Sequence, residues 1–226
     1  MAAMYRLKTI GKALCPPIIW RSAKAILGLT QDLTIRSAER GPDWYDRSFI
    51  WTERTHKHYT ESMHYFLWTI IAHLMVSAQV RAVLDVGCGS GQLALLLRDK
   101  GIKDYRGFDF SRRRIHWARR TCPEFTFVVA DALETDLFDT FDYDAVICTE
   151  FLEHVERDIQ VIDRIRKGAL FFATVPNFPF PSHVRHFKDS SEVYDRYSRL
   201  FENFSVDWFP ADKKGKVFFL LQGTKK

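Results

Sequence analysis

Cysteine is scarce in this sequence and shows no pairing pattern. Four residues, at 15, 88, 122 and 148, form no CxxC and keep no regular spacing. That excludes a disulfide framework and a zinc ribbon, and it fits reduced thiols in a cytoplasmic protein. Long apolar runs are missing too. The longest, "FLWTIIAHLMV" at 66–76, is interrupted by Thr69 and His73 and falls short of the roughly 20 residues a membrane span needs. No transmembrane helix is expected. Internal repeats and low-complexity linkers are also absent, and 226 residues with 46% hydrophobic content suffice for one sizeable core.

Acidic residues are wholly absent from positions 1–31, which hold Arg6, Lys8, Lys12, Arg21 and Lys24. This stretch alone carries a charge equal to the net +5 of the chain. Its apolar residues Leu7, Ile10 and Leu14, then Ile19, Ala23, Ile26 and Leu27, recur at helical spacing and are broken by Pro16 and Pro17. A basic amphipathic helical arm is open to three readings: a peripheral contact with an anionic membrane, a helical lid packed on the domain, or a transit peptide, against which the scarcity of serine counts. The organisation expected is an arm with an aromatic lid over residues 1–50, then a single domain over 51–226.

Glycine is costly inside regular structure, yet "DVGCGSG" at 85–91 holds three glycines at alternate positions between a strand-like and a helix-like segment. Such a turn lets a ligand come close to backbone. Beyond it, β-rich runs ("AVLDV" 82–86, "YRGFDF" 105–110, "FTFVVA" 125–130, "YDAVIC" 143–148, "ALFFATV" 169–175) alternate with "GQLALLLRDK", "SRRRIHWARRT" and "EHVERDIQVIDRIRK", all at helical period. The alternation predicts a doubly wound, Rossmann-like α/β sheet. The tail differs: a helix at about 189–201 precedes "FSVDWF" and "KVFFLLQG", joined by the short link "PADKKGK", which predicts an antiparallel hairpin and seven strands in all. Ahead of the glycine turn, Met63, Phe66, Leu67, Ile70, Ile71 and Leu74 mark one apolar face of a further helix.

Ligands of a doubly wound sheet sit at the carboxyl ends of the strands, near the point where strand order reverses. Asp109 ends the second strand, 24 residues after Asp85, where a carboxylate can accept hydrogen bonds from ribose hydroxyls. Asp131 ends the third strand. Taken together, "VLDVGCGSG", "GFDFS", "VVADALE" and "YDAVICTEFLEHV" resemble the successive motifs of class I S-adenosylmethionine-dependent methyltransferases over roughly residues 55–226. The resemblance implies that Asp85, Gly87, Cys88, Gly89 and Gly91 hold the methionine end of the donor. It likewise implies that Asp109 and Phe110 hold the ribose side, that Asp131 and Ala132 face the adenine, and that Glu150 lines the pocket. The spacing GxGxG after an aspartate also departs from the GxGxxG of NAD enzymes.

Methyl transfer from a sulfonium requires alignment of the acceptor and removal of its proton. Glu150, Glu153 and His154 fall at i, i+3 and i+4 and would share one face of a helix starting there, while His183 and His186 follow the fifth strand. These five are the candidate catalytic residues. Glu150, Glu153, His154 and His186 form a set suited to a divalent metal such as magnesium. The ExxEH with a downstream histidine is similar to the metal site of small-RNA 3′-terminal 2′-O-methyltransferases, and a closely similar ExxEH occurs in ubiquinone-pathway O-methyltransferases. Metal-assisted catalysis, metal-free catalysis by a histidine and a structural role remain open on sequence.

The aromatic stretch with Trp44, Tyr45, Trp51, His56, His58 and Tyr59 is either a lid over the ligands or plain packing. Arg112–Arg114, Arg119 and Arg120 read as a solvated helix face. The function expected is O-methylation of a small-molecule, lipid-linked or glycan hydroxyl at or near a membrane. RNA methylation is the alternative and nucleic acid the less favoured partner, because no separate RNA-binding module is readable. A non-catalytic scaffold is the third reading, and the oligomeric state is left open.

Overall fold

The computed structural model describes residues 37–48 and 57–226. Outside them lie the basic arm of residues 1–31, Trp51 and His56 of the aromatic stretch, and the expected boundary between residues 50 and 51. A compact unit runs from Ala38 to Lys226. Trp44 and Tyr45 therefore belong to the same unit as the sheet, although the sequence suggested a boundary after them.

The strands are β1 (Ala82–Val86), β2 (Asp104–Asp109), β3 (Thr126–Val129), β4 (Ala145–Thr149), β5 (Leu170–Pro176), β6 (Phe201–Pro210) and β7 (Val217–Lys225). They form one sheet in the order β3-β2-β1-β4-β5-β7-β6. The first five run parallel, and β7 is antiparallel to both β5 and β6. This is the expected seven-stranded doubly wound sheet with its antiparallel closing hairpin. Central parallel strands are covered on both faces, so β1, β4 and β5 bury nearly every residue and read as continuous apolar runs.

Seven α-helices are described: α1 (Pro42–Ser48), α2 (Tyr65–Ser77), α3 (Gln92–Asp99), α4 (Arg112–Thr121), α5 (Leu137–Thr140), α6 (Asp158–Asp163) and α7 (Ser190–Tyr197). On one face of the sheet Leu67, Ile71 and Met75 of α2, Leu96 of α3 and Ile115 of α4 pack on Val83, Ile147 and Leu220. On the other, Phe138 of α5, Ile162 of α6 and Tyr197 of α7 pack on Leu84, Val146 and Phe171. None of these helices is long and apolar enough to cross a membrane. Cys88, Cys122 and Cys148 are buried free thiols.

Two elements differ from the sequence reading. The buried line of α2 is Leu67, Ile71, Ala72 and Met75. Met63 precedes the helix and Phe66 leans toward Phe209, with ring centroids 6.1 Å apart, so both stay more than half exposed. The long helix expected over 153–167 is replaced by a 3₁₀ turn at Leu152–His154 and the short α6. The backbone bends at Glu150, in the left-handed region at φ 50°. Beyond that bend the Arg185 guanidinium takes the carbonyls of Leu152, Val155 and Glu156, which a continuous helix would have used for its own amides.

Candidate active site

Strand order reverses between β1 and β4, and a crevice of about 510 Å³ opens there at the carboxyl ends of the strands. Gly87 after β1, Asp109 ending β2, Asp131 after β3 and Glu150 after β4 all lie on its wall. A second hollow, of about 520 Å³, sits at the opposite strand ends beside Arg81, Arg166 and Lys167 and holds none of the candidate site residues.

One half of the crevice is built by the glycine turn. Gly87, Gly89 and Gly91 all have left-handed backbone, at φ 76°, 57° and 77°. A Cβ on Gly87 would also lie 2.5 Å from the Phe151 ring, so the turn has both conformational and steric reasons for glycine there. The amides of Gly87 and Cys88 donate to the Phe108 carbonyl, 2.9 and 3.0 Å away, and so anchor the turn to β2. Asp109 is 6% exposed; its carboxylate accepts from the Gly89 amide at 3.2 Å and the Ser111 amide at 2.8 Å. Burial raises its pKa, opposed by the Arg114 charge and these two amides. Asp85 lies beneath the turn rather than on the crevice wall. It accepts a 2.6 Å hydrogen bond from Tyr105, and burial pushes its carboxyl up to about 7.

Asp131 follows β3 on the crevice wall, with Oδ1 accepting from the Leu133 amide, and Phe110 and Ala132 also line the crevice. Cys88, Gly89 and Gly91 shape the turn without reaching the wall. Cys88 instead packs under β2, where only a glycine at 107 leaves room for it.

The other half is formed by the loops after β4 and β5. His154 Nδ1 lies 2.9 Å from the Ser182 carbonyl and His183 Nδ1 lies 3.0 Å from the Phe178 carbonyl. A carbonyl only accepts, so each ring carries its proton on Nδ1 and presents an Nε2 lone pair. The two rings meet edge to face at 4.8 Å between centroids. Glu153 is fully buried, its Oε1 stands 3.8 Å from His154 Nε2, and neither of its oxygens has a hydrogen-bond partner. One ligand atom from each of Glu153, His154 and His183 lies within 4.8 Å of the other two.

Burial keeps this cluster uncharged. It pushes His154 down to about 4 and lowers His183 as well. Burial, reinforced by the nearby Glu150, holds the Glu153 carboxyl well above the usual range, and burial takes Glu150 up to about 7. Glu150 is turned away from the cluster, toward Thr174, whose hydroxyl donates to its Oε1 at 2.9 Å. His186 is exposed and falls outside the ligand cluster, though its charge helps lower His183. The structure thus gathers Glu153, His154 and His183, whereas the sequence spacing had grouped Glu150, Glu153, His154 and His186.

Several wall residues carried no clear sequence signal. Arg114, expected on a solvated face, stacks on Tyr45 at 4.9 Å and lines the crevice. Only its helix phase, opposite the exposed Arg112 and Arg113, could have marked it. Of the aromatic stretch, Trp44 and Tyr45 do reach the crevice. His58 and Tyr59 do not; Tyr59 donates to Asp99 on α3 instead. His64, Phe178 and Phe218 complete an apolar end of the cavity.

The sheet order and this crevice are those of the class I methyltransferase fold, whose members use S-adenosylmethionine as donor. Residues 83–168 match the family model described as a methyltransferase domain. The ubiquinone biosynthesis O-methyltransferase of Photobacterium profundum is 34% identical over 104 residues, 42% of this chain and 44% of that protein. The chain thus spans less than half the length of this curated relative. Magnesium protoporphyrin IX methyltransferase from Synechocystis PCC 6803, solved with bound S-adenosylhomocysteine, superposes with a TM-score of 0.63 at 16% identity, over 82% of this chain and 98% of that one. The N-methyltransferase NodS from Bradyrhizobium japonicum WM9 gives 0.58 at 18% identity, over 72% and 87%. Over residues 83–168 the chain matches a methyltransferase domain, and its fold is that of S-adenosylmethionine-dependent methyltransferases.

Proposed function

We propose that the protein transfers the methyl group of S-adenosylmethionine to a hydroxyl oxygen of a small-molecule, lipid-linked or glycan acceptor. The observation that carries this is the neutral His154–His183 pair, both of whose rings line the same crevice as Asp109 and Gly87 of the glycine turn. The acceptor oxygen attacks the methyl carbon in line, and the carbon–sulfur bond breaks to give S-adenosylhomocysteine. The hydroxyl proton passes to Nε2 of His154, whose Nδ1 proton stays donated to the Ser182 carbonyl. Trp44, Phe178 and Phe218 give the acceptor end an apolar lining, suited to a ring or an alkyl chain rather than to an open polar strand.

The Glu153, His154 and His183 group favours one further reading, a metal-dependent transfer to a ribose hydroxyl of RNA. The residues fit a divalent ion: two orphaned carboxyl oxygens converge with two imidazoles whose other nitrogens are held by backbone carbonyls. Those three residues would hold the ion, which lowers the pKa of a bound hydroxyl. We propose in addition that the basic residues 1–31 contact an anionic membrane surface.

The test is transfer of labelled methyl from S-adenosylmethionine into a cell extract separated into lipid, polysaccharide, small-molecule and RNA fractions, with and without a chelator. Label in any of the first three supports the leading reading. Label confined to RNA and lost with chelator selects the other.

A further inference from the structure

We infer that Arg185 is a positioning residue of the acceptor site, held in place by Asp158, Arg196 and Tyr197. The inference rests on the proposed role of the His154–His183 cluster, but its geometry is independent of the acceptor. Glu153 and His154 lie on the loop after β4 and His183 on the loop after β5, and neither loop has an α-helix or strand to fix it there. One backbone hydrogen bond, Val184 amide to Glu153 carbonyl at 2.8 Å, and one from a side chain, His154 Nδ1 to Ser182 carbonyl at 2.9 Å, join them. Arg185 supplies the rest. From the β5 loop its guanidinium reaches across to three carbonyls of the β4 loop: Leu152, Val155 at 2.6 Å and Glu156 at 3.0 Å.

A guanidinium clamping carbonyls with its side chain only 15% exposed needs a countercharge. Asp158, fully buried at the start of α6, provides it from 3.3 Å. Asp158 is itself saturated: Arg196 donates through Nε and Nη2 at 2.9 and 2.7 Å, and Tyr197 donates at 2.7 Å. Helix α7 therefore braces α6, α6 braces Arg185, and Arg185 locks both loops. The planar fork matters because one donor cluster must satisfy several acceptors at set angles, which an ammonium on a flexible stem does poorly. The same charge stands near Glu153, so it also offsets the burial of that carboxyl.

The test uses the full chain, labelled with nitrogen-15, and needs no methyl acceptor. Long-range proton–nitrogen spectra report which ring nitrogen of His154 and His183 holds the proton, and hydrogen exchange at Nδ1 reports how firmly each ring is held. In the wild type both rings should be Nδ1–H with slow exchange. In Arg185→Lys, Nδ1–H exchange at both rings should quicken at least tenfold, while S-adenosylhomocysteine affinity stays within about twofold and amide exchange in β1 and β2 is unchanged. Tyr197→Phe, which removes one hydrogen bond to Asp158 without emptying the core, should show the same signature more weakly. It serves as the measurement if the lysine variant does not fold. Unchanged ring exchange in a folded variant overturns the inference, as does a loosening spread equally over β1 and β2. Failure to methylate any acceptor would count against the proposed function and leave this result standing.

Discussion

At the scale of single residues, the site depends on positions where only one side chain satisfies the backbone. Gly87 combines φ 76° with a 2.5 Å approach to Phe151, so Gly87→Ala should cost about 1–3 kcal/mol of local strain and abolish donor binding, measured by calorimetry with S-adenosylhomocysteine. Asp109→Ala removes the carboxylate that ties the glycine turn to the cap of α4 and lines the crevice. Its donor affinity should fall at least tenfold with a nearly unchanged melting temperature, and unchanged affinity would remove Asp109 from the donor site. His64 bears on pH. Burial between Trp68 and Phe218 takes it from 6.5 down to about 4. The folded chain then binds fewer protons than the unfolded chain between about pH 4 and pH 6.5, so stability is full above that window and is lost as pH falls through it. His64→Phe should make the fall in melting temperature across that range shallower, with buried His154 and His183 accounting for the remainder, whereas an equally steep profile would assign the acid sensitivity elsewhere.

At the scale of elements, α1 shows how a short helix acquires a role its own sequence does not announce. Asp46 accepts from the Ser111 hydroxyl at 2.5 Å and the Arg113 amide at 3.2 Å, joining α1 to the amino-terminal end of α4, next to Asp109. Asp46→Ala should cost about 1 kcal/mol, as loss of a cap does, and should speed dissociation of S-adenosylhomocysteine measured by stopped flow. An unaltered rate would leave α1 as packing only. Legibility also differed by element. Strands β1, β4 and β5 were readable because two-sided burial leaves an unbroken apolar run. The 153–167 stretch misled because its helical periodicity is real but local, while its carbonyls are claimed by Arg185, a residue about thirty positions away. His183 was named among the candidates but left out of the metal set for the same reason: its approach to His154 depends on where two loops cross.

At the scale of the whole molecule, charge is distributed unevenly, and residues 1–31 carry five cations and no acid. Deleting them should abolish sedimentation with anionic vesicles and leave donor affinity unchanged; binding that survives the deletion would place the membrane contact elsewhere. The sequence by itself determined the class of sheet, its closing hairpin and the donor turn, because these rest on short-range facts: periodicity, glycine backbone freedom and acids at strand ends. Only the tertiary structure decided which imidazoles meet Glu153, that Glu150 turns to Thr174, that Arg114 faces the crevice, and that Arg185 spans two loops. Those choices arise where segments far apart in the chain compete for the same buried space and the same unpaired backbone carbonyls, a competition that no local pattern records.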